Sequence, residues 1–182
     1  WTSHPDRRYT YLQTFSPAKV VQKYLQSYRD TAEAYGYQAS DSQLGWAVPV
    51  YVSDTDAQAR AEAKVHFELF RNRLLKMPVE MLLPPGYTSR DSLKNLMKAK
   101  ASLSQDLTID MAIDMGMLVC GAPDTVRQML EDHWQAMRFG NLLTMMHFGT
   151  LPADLTKRNM ELFAQHVLPH LKRLVSSEAV PA

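Results

Sequence analysis

Apolar positions along this chain switch repeatedly between a strand-like run and a helical repeat. Arg8 to Phe15 is aromatic and β-branched, which predicts a strand. Ser16-Pro17 supplies an N-cap and a first-turn proline, after which Val20, Val21, Tyr24, Leu25, Tyr28, Ala32 and Tyr35 recur on one helical face until Gly36 closes it. Leu44 to Val52 predicts a second strand; Pro49 has no N–H for a ladder, so a bulge or a locally unpaired position is expected there. Ser53-Asp54-Thr55-Asp56 then offers caps for a helix with Ala59, Ala63, Phe67, Phe70 and Leu74 on its inner face.

Regularity breaks at about 77–108, where Pro78, Pro84-Pro85-Gly86 and the basic stretch Lys94 to Lys100 form a lid-like insertion, either a mobile lid or a loop ordered against a partner subunit. Leu107 to Met117 predicts a short helix. Val119-Cys120 leads into Gly121-Ala122-Pro123, where proline suits the first helical turn and Asp124 suits the positive end of the helix dipole. Val126, Met129, Leu130, Trp134 and Met137 follow at helical spacing, with Gly140 as the expected C′ residue. Asn141 to Phe148 carries the continuous apolar run of a strand buried on both faces. A last helix presents Met160, Phe163, Ala164, Val167, Leu168 and Leu171, and a frayed tail is expected from about 175. Strands alternating with helices in this order predict a parallel α/β fold.

Composition narrows the function classes. At 182 residues and 46% hydrophobic content the chain can bury a sizeable core, and a net charge of +1 gives no electrostatic case for nucleic acid or an anionic membrane. Its longest apolar runs fall far short of a bilayer span. The one cysteine, Cys120, fits a reducing, cytoplasmic setting, and in an apolar strand without an adjacent base it reads as an inert thiol. His166 and His170 stand four apart on a helix, but Val167 occupies the place of the glutamate that a His-Glu-x-x-His site requires, so no metal is expected. The chain opens at Trp1 without an initiator methionine, as an internal segment of a longer chain would.

Three segments in their order, Val52-Ser53-Asp54-Thr55-Asp56 to Arg60, Val119-Cys120-Gly121-Ala122-Pro123-Asp124-Thr125-Val126, and Glu161 to Pro169, resemble the C-terminal half of the bacterial luciferase-like flavin-dependent monooxygenases. The likeness spans nearly the whole chain. It implies an α/β fold that is the C-terminal part, about strands 6 to 8, of a (β/α)8 TIM-type barrel, with residues 1–182 as one half of a single barrel domain. Arg8 to Phe15 would be the sixth strand, Leu44 to Val52 the seventh and Asn141 to Phe148 the eighth, and the insertion would be the active-site loop after the seventh. The partner most needed is then the N-terminal half, because three strands with open edges and a bare inner face are not expected to stand alone.

In such a barrel the site lies at the C-terminal strand ends. That rule nominates His147 as the catalytic candidate, able to meet a flavin edge or equally to be satisfied by a backbone carbonyl. Gln13, Thr14 and Phe148 are candidates for the cofactor, and Phe15, Tyr51 and Met146 for the substrate, with the phenylalanines equally able to serve the core. Tyr87, Arg90 and Lys94 are lid candidates, the two cations either reaching an anionic group or simply solvated. Alkanesulfonate-cleaving members of the family carry Arg and His on the inner face of the seventh strand, where Ala47 and Pro49 stand here; this points to a small apolar substrate. The resemblance further implies reduced FMN delivered by a flavin reductase, reaction with oxygen through a flavin C4a-peroxide, and a homo-oligomer. The alternatives are a deazaflavin-dependent oxidoreductase on the same barrel, or a non-catalytic flavin-binding fragment.

Overall fold

The computed structural model describes residues 1–76, 89–91, 93–94 and 105–178, with side chains as far as residue 174. Tyr87 and most of the expected insertion lie outside the described residues, as does the end of the tail. Four parallel strands form one sheet around β2, Leu44–Val52. β1, Tyr11–Thr14, pairs with its first half, Tyr11 opposite Leu44 through Thr14 opposite Ala47. β3, Val119–Gly121, continues on that edge opposite Val50 to Val52, and β4, Asn141–Met145, takes the other edge opposite Gly45 to Pro49.

The backbone pairing shows why Pro49 is tolerated. Leu44 O accepts from Gly140 N–H beside β4, whereas Ser53 N–H donates to Gly121 O on β3. Since successive residues of a strand turn their polar groups to opposite edges, odd-numbered positions of β2 face β1 and β3. Pro49 therefore faces the gap between the end of β1 and the start of β3, where no ladder partner asks for its N–H. Its pairing with β4 runs through without a bulge.

Helices cover the two faces unequally. Leu44, Trp46, Val48, Val50 and Val52 pack against α1, Ala18–Ala34, through Val21, Leu25 and Tyr28, and against α4, Pro123–Met137, through Val126, Leu130, Trp134 and Met137. On the opposite face Tyr51 and Cys120 meet Ala59, Ala63 and Phe67 of α2, Asp56–Leu69, and Ile109 and Ala112 of α3, Ile109–Asp114. This second layer roofs only the C-terminal half of β2. The last helical stretch is α5, Ala153–Leu162, a π-helical turn Phe163–Val167, and α6, Leu168–Glu178.

Several expected positions move, each for a local reason. β1 is shorter than Arg8 to Phe15 because both of those residues adopt left-handed backbone, φ 45° and 52°. β4 stops at Met145, since Met146 O is taken by the Asn159 side chain and the chain then turns through Gly149. Val20, Tyr24 and Tyr35 stay exposed, so the buried stripe of α1 narrows to Val21, Leu25, Tyr28 and Ala32. α4 ends not at Gly140 but at Arg138, in the left-handed region at φ 53°, where Arg29 donates to the Arg138 carbonyl and the Arg138 guanidinium covers the Trp134 ring at 4.3 Å. Gly140 is needed for a different reason: a Cβ there would stand 2.6 Å from Asp41 O. A π-helical turn at Phe70–Leu74 extends α2 and carries Leu74 off the inner face into solvent. The second π turn precedes Pro169, whose ring and missing N–H bar a regular α-turn. Met160 before that turn and Ala164 within it are exposed, and Asn159 takes the buried place.

Candidate functional site

A strip of sheet remains partly bare at Leu12, Thr14, Ala47 and Leu143, while on the same face Gly45 and Pro49 are buried and Met145 packs with the cluster under α2. Residues opposite one another in a parallel pair share a face, so Leu12 and Thr14 of β1, Gly45, Ala47 and Pro49 of β2, and Leu143 and Met145 of β4 line one trough. Leu12 is 40% and Leu143 50% exposed. One end of the trough is closed by close packing, because a Cβ on Gly45 would lie 2.7 Å from Leu12 Cδ1 and 3.2 Å from Asn141 Cβ. Toward the C-terminal strand ends the floor at β2 runs under α2, while Thr14 and Phe15 at the end of β1 and His147 after β4 stay exposed.

Tyr51 would continue the trough floor, but α2 roofs it. Its ring packs edge-on to Phe148 at 6.2 Å, and Phe148 meets Phe67 at 5.7 Å. The Tyr51 hydroxyl donates to Glu62 Oε2 at 2.9 Å, and Gln58 donates to Glu62 Oε1 at 2.7 Å. Burial pushes the Tyr51 hydroxyl well above its ordinary range, and the bond to Glu62 adds to this. For Glu62, burial pushes upward, yet the hydrogen bonds from Gln58 and Tyr51, the nearby Ser53 hydroxyl and the Arg158 charge together hold the carboxyl low. Ser53 Oγ is fully buried and close to Glu62 but lacks a well-formed hydrogen bond. Asn159, also fully buried, accepts from Val52 N–H at 2.8 Å and donates to Val50 O and Met146 O at 2.9 and 3.1 Å. It thus joins the ends of β2 and β4.

The loop after β4 is pinned to α2. Gly149 has φ 59°, and a Cβ there would stand 2.3 Å from His66 O. His66 Nδ1 and Thr150 Oγ1 share a hydrogen bond of 2.9 Å. Just before this anchor His147 is exposed, with no hydrogen-bond partner among the described residues. Across the trough Phe15, 44% exposed, leans on Phe70 with ring centres 6.2 Å apart.

The structure therefore leaves Thr14, Phe15 and His147 exposed at or just after C-terminal strand ends. Gln13 and Met146 lie on the helix-facing side: the Gln13 amide is held between Tyr11 Oη at 2.6 Å and Ser16 Oγ at 3.0 Å, and Met146 packs with the α1 and α4 core. Phe148 and Tyr51 are buried in the aromatic cluster under α2. Arg90 and Lys94 are exposed, Lys94 standing 3.8 Å from Asp91. Cys120 is buried, which pushes its thiol up to about 12 against the opposing Arg60 charge. His170 bonds Glu131 at 3.0 Å. Sequence reading missed Asn159 and Glu62, polar residues at helix positions that look solvated, and took Phe70 only as packing. The signal available for Asn159 was its place in the 155, 159, 163, 167 repeat. Lys76 and Arg73 reach Asp106 at 3.4 and 3.5 Å and Asn72 pairs with the Leu107 backbone, so the segment between leaves and rejoins the domain at one point.

No protein-family profile matches the sequence, and no curated protein matches it. Among solved structures, monooxygenase RslO1 from Streptomyces bottropensis is similar over 93% of this chain and 44% of its own, at 22% identity and a TM-score of 0.60. The oxygenating constituent of 3,6-diketocamphane monooxygenase from Pseudomonas putida, a type II Baeyer-Villiger monooxygenase in complex with FMN, is similar over 92% of this chain and 44% of its own, at 17% identity and 0.62. EDTA monooxygenase from Chelativorans sp. BNC1 covers 93% and 39%, at 18% and 0.52. These neighbours are luciferase-like monooxygenases, and the likeness is one of fold. The chain spans less than half the length of each. No described helix is long and apolar enough to cross a membrane.

Proposed function

We propose that this chain is the C-terminal part of a luciferase-like (β/α)8 barrel and forms one wall of the pocket of a flavin-dependent monooxygenase, with β1, β2 and β4 as strands 6, 7 and 8. The observation that carries this reading is the one-sided sheet. Helices α1 and α4 cover one face, α2 and α3 cover only the C-terminal half of β2 on the other and leave an apolar strip beside it partly exposed, and the outer edges of β1 and β4 pair with no strand among the described residues. An apolar groove of about 650 Å³ between α4, β4 and α6, walled by Leu142, Phe163 and Leu171, adds a second unfilled surface beside the β4 edge. A preceding half of the barrel would pair with both edges, fill that groove and close the trough.

The donors present fit a flavin on this wall. Thr14 and His147 offer a hydroxyl and an imidazole at the rim of an apolar floor, which suits the polar edge and flat body of a ring system. Bound reduced FMN would supply the oxygen chemistry, delivered by a separate reductase. This chain's part is to exclude water, orient the ring and present the His147 nitrogen. Residues holding the phosphate belong to the preceding half, and the insertion, tied at Asn72 and Asp106, acts as the lid. With Ala47 and Pro49 on the trough floor, the substrate is small and apolar. The test is oxygen uptake by the full-length protein with NADH, FMN and a flavin reductase. Substrate-dependent uptake is expected, lowered roughly a hundredfold in His147→Ala; the absence of flavin-dependent uptake in the full-length protein would reject the reading.

A further inference from the structure

We propose that Phe15 and Phe70 form an aromatic clamp that binds an uncharged, ring-containing substrate beside the end of β1, an inference that rests on the reading of the site above. Three irregular backbone positions meet at this pair. Phe15 is left-handed at φ 52°, a conformation that a bulky residue with a Cβ rarely adopts. Phe70 opens the π-helical turn, a form that occurs mostly as isolated turns and often at functional sites. Gly149 is left-handed at φ 59° and lies so close that a Cβ would stand 3.2 Å from Phe70 Cβ. Phe70 consequently touches the chain just after β1 and just after β4, the two strands that flank β2.

The result is unlike core packing. Phe67, one turn earlier on α2, is 2% exposed, whereas Phe15 keeps 44% of its surface in solvent although its ring already has an aromatic neighbour. The two rings are inclined at 55° and packed against each other with centres 6.2 Å apart, so the aromatic surface left for a ligand is the exposed part of Phe15 beside the end of β1. On the same sheet face Leu12, Ala47 and Leu143 stay at least partly exposed, and the register puts no charged residue among them. A ring ligand laid against this pair meets an aromatic face or edge, which favours it beyond the area it buries. A flexible chain gains the area alone and loses more conformational freedom.

Calorimetric titration of the full-length protein with tetralone and with a straight-chain ketone of the same carbon number tests the clamp. Wild type is expected to prefer tetralone by roughly tenfold. Phe15→Ala and Phe70→Ala should each bring that ratio close to one, with FMN affinity changed less than about twofold. Phe70→Leu, which keeps the bulk and removes the ring, should lower the ratio as well and decides the matter if Phe70→Ala does not fold. Equal affinities in wild type, a ratio that survives all three substitutions, or a loss shared equally by FMN would overturn the proposal. Tetralone preference without oxygen uptake would reject the monooxygenase and keep the clamp; uptake without ring preference would do the reverse.

Discussion

Asn159 is the residue whose single side chain does the most joining. It satisfies three backbone groups on two strand ends, all in a fully buried setting. Asn159→Leu would strand the Val52 N–H and two carbonyls, and a loss of roughly 2–4 kcal/mol is expected, read as a lowered midpoint in urea. Acid sensitivity also belongs to named residues. His133 packs edge-on to Trp46 at 4.9 Å, and burial lowers its pKa from 6.5, partly offset by Asp132. The unfolded chain binds that proton more readily, so stability is full above pH 6.5 and falls as the pH drops below it. Glu62 acts lower, its contribution present above 4.5 and lost as the pH falls through its depressed folded value. Melting temperatures of wild type, His133→Gln and Glu62→Gln across acid pH should show the first limb flattened in one variant and the second in the other.

At the scale of elements, the loop after β4 and the irregular end of α2 hold each other. Gly149→Ala adds a Cβ where His66 O leaves no room and forces an alanine into left-handed backbone, so roughly 1–3 kcal/mol of stability should be lost. Since that loop positions His147, substrate-dependent oxygen uptake should fall further than stability explains; unchanged uptake in the folded variant would show that the anchor does not set the histidine. The π turns mark where helical periodicity read from sequence goes out of phase. Val126, Leu130, Trp134 and Met137 face the core as their spacing predicts, because α4 is regular throughout. Leu74, Met160 and Ala164 do not, because a wider turn intervenes or Asn159 holds the inward place.

The molecule as a whole is a sheet with one finished face. Exposed Leu12, Phe15 and Leu143, two strand edges unpaired among the described residues and the groove beside β4 together leave much apolar surface in water, each large side chain forgoing part of the about 1.5–3 kcal/mol that full burial gives. Co-expression with the preceding half of the barrel should therefore raise the melting temperature and remove binding of a hydrophobic dye; a chain equally stable and dye-silent by itself would contradict the missing-half reading. The described ends of the insertion meet at Asp106, so shortening it should leave that stability largely intact.

Sequence alone determined the parallel α/β order, the helix start at Pro123 and the core stripes, because these follow from local geometry: fixed φ at proline and the periods of strand and helix. It also placed Thr14, Phe15 and His147 at strand ends, since position along a strand is a local property. Which way a side chain faces near those ends was decided only by tertiary structure. Gln13 turned to the helices because Tyr11 and Ser16 hold its amide, and Tyr51 and Phe148 disappeared under α2 because that helix crosses back over β2. The pairing of Phe15 with Phe70, far apart in the chain, required the sheet to be assembled first: contacts between distant segments depend on register and crossing, which no local pattern encodes.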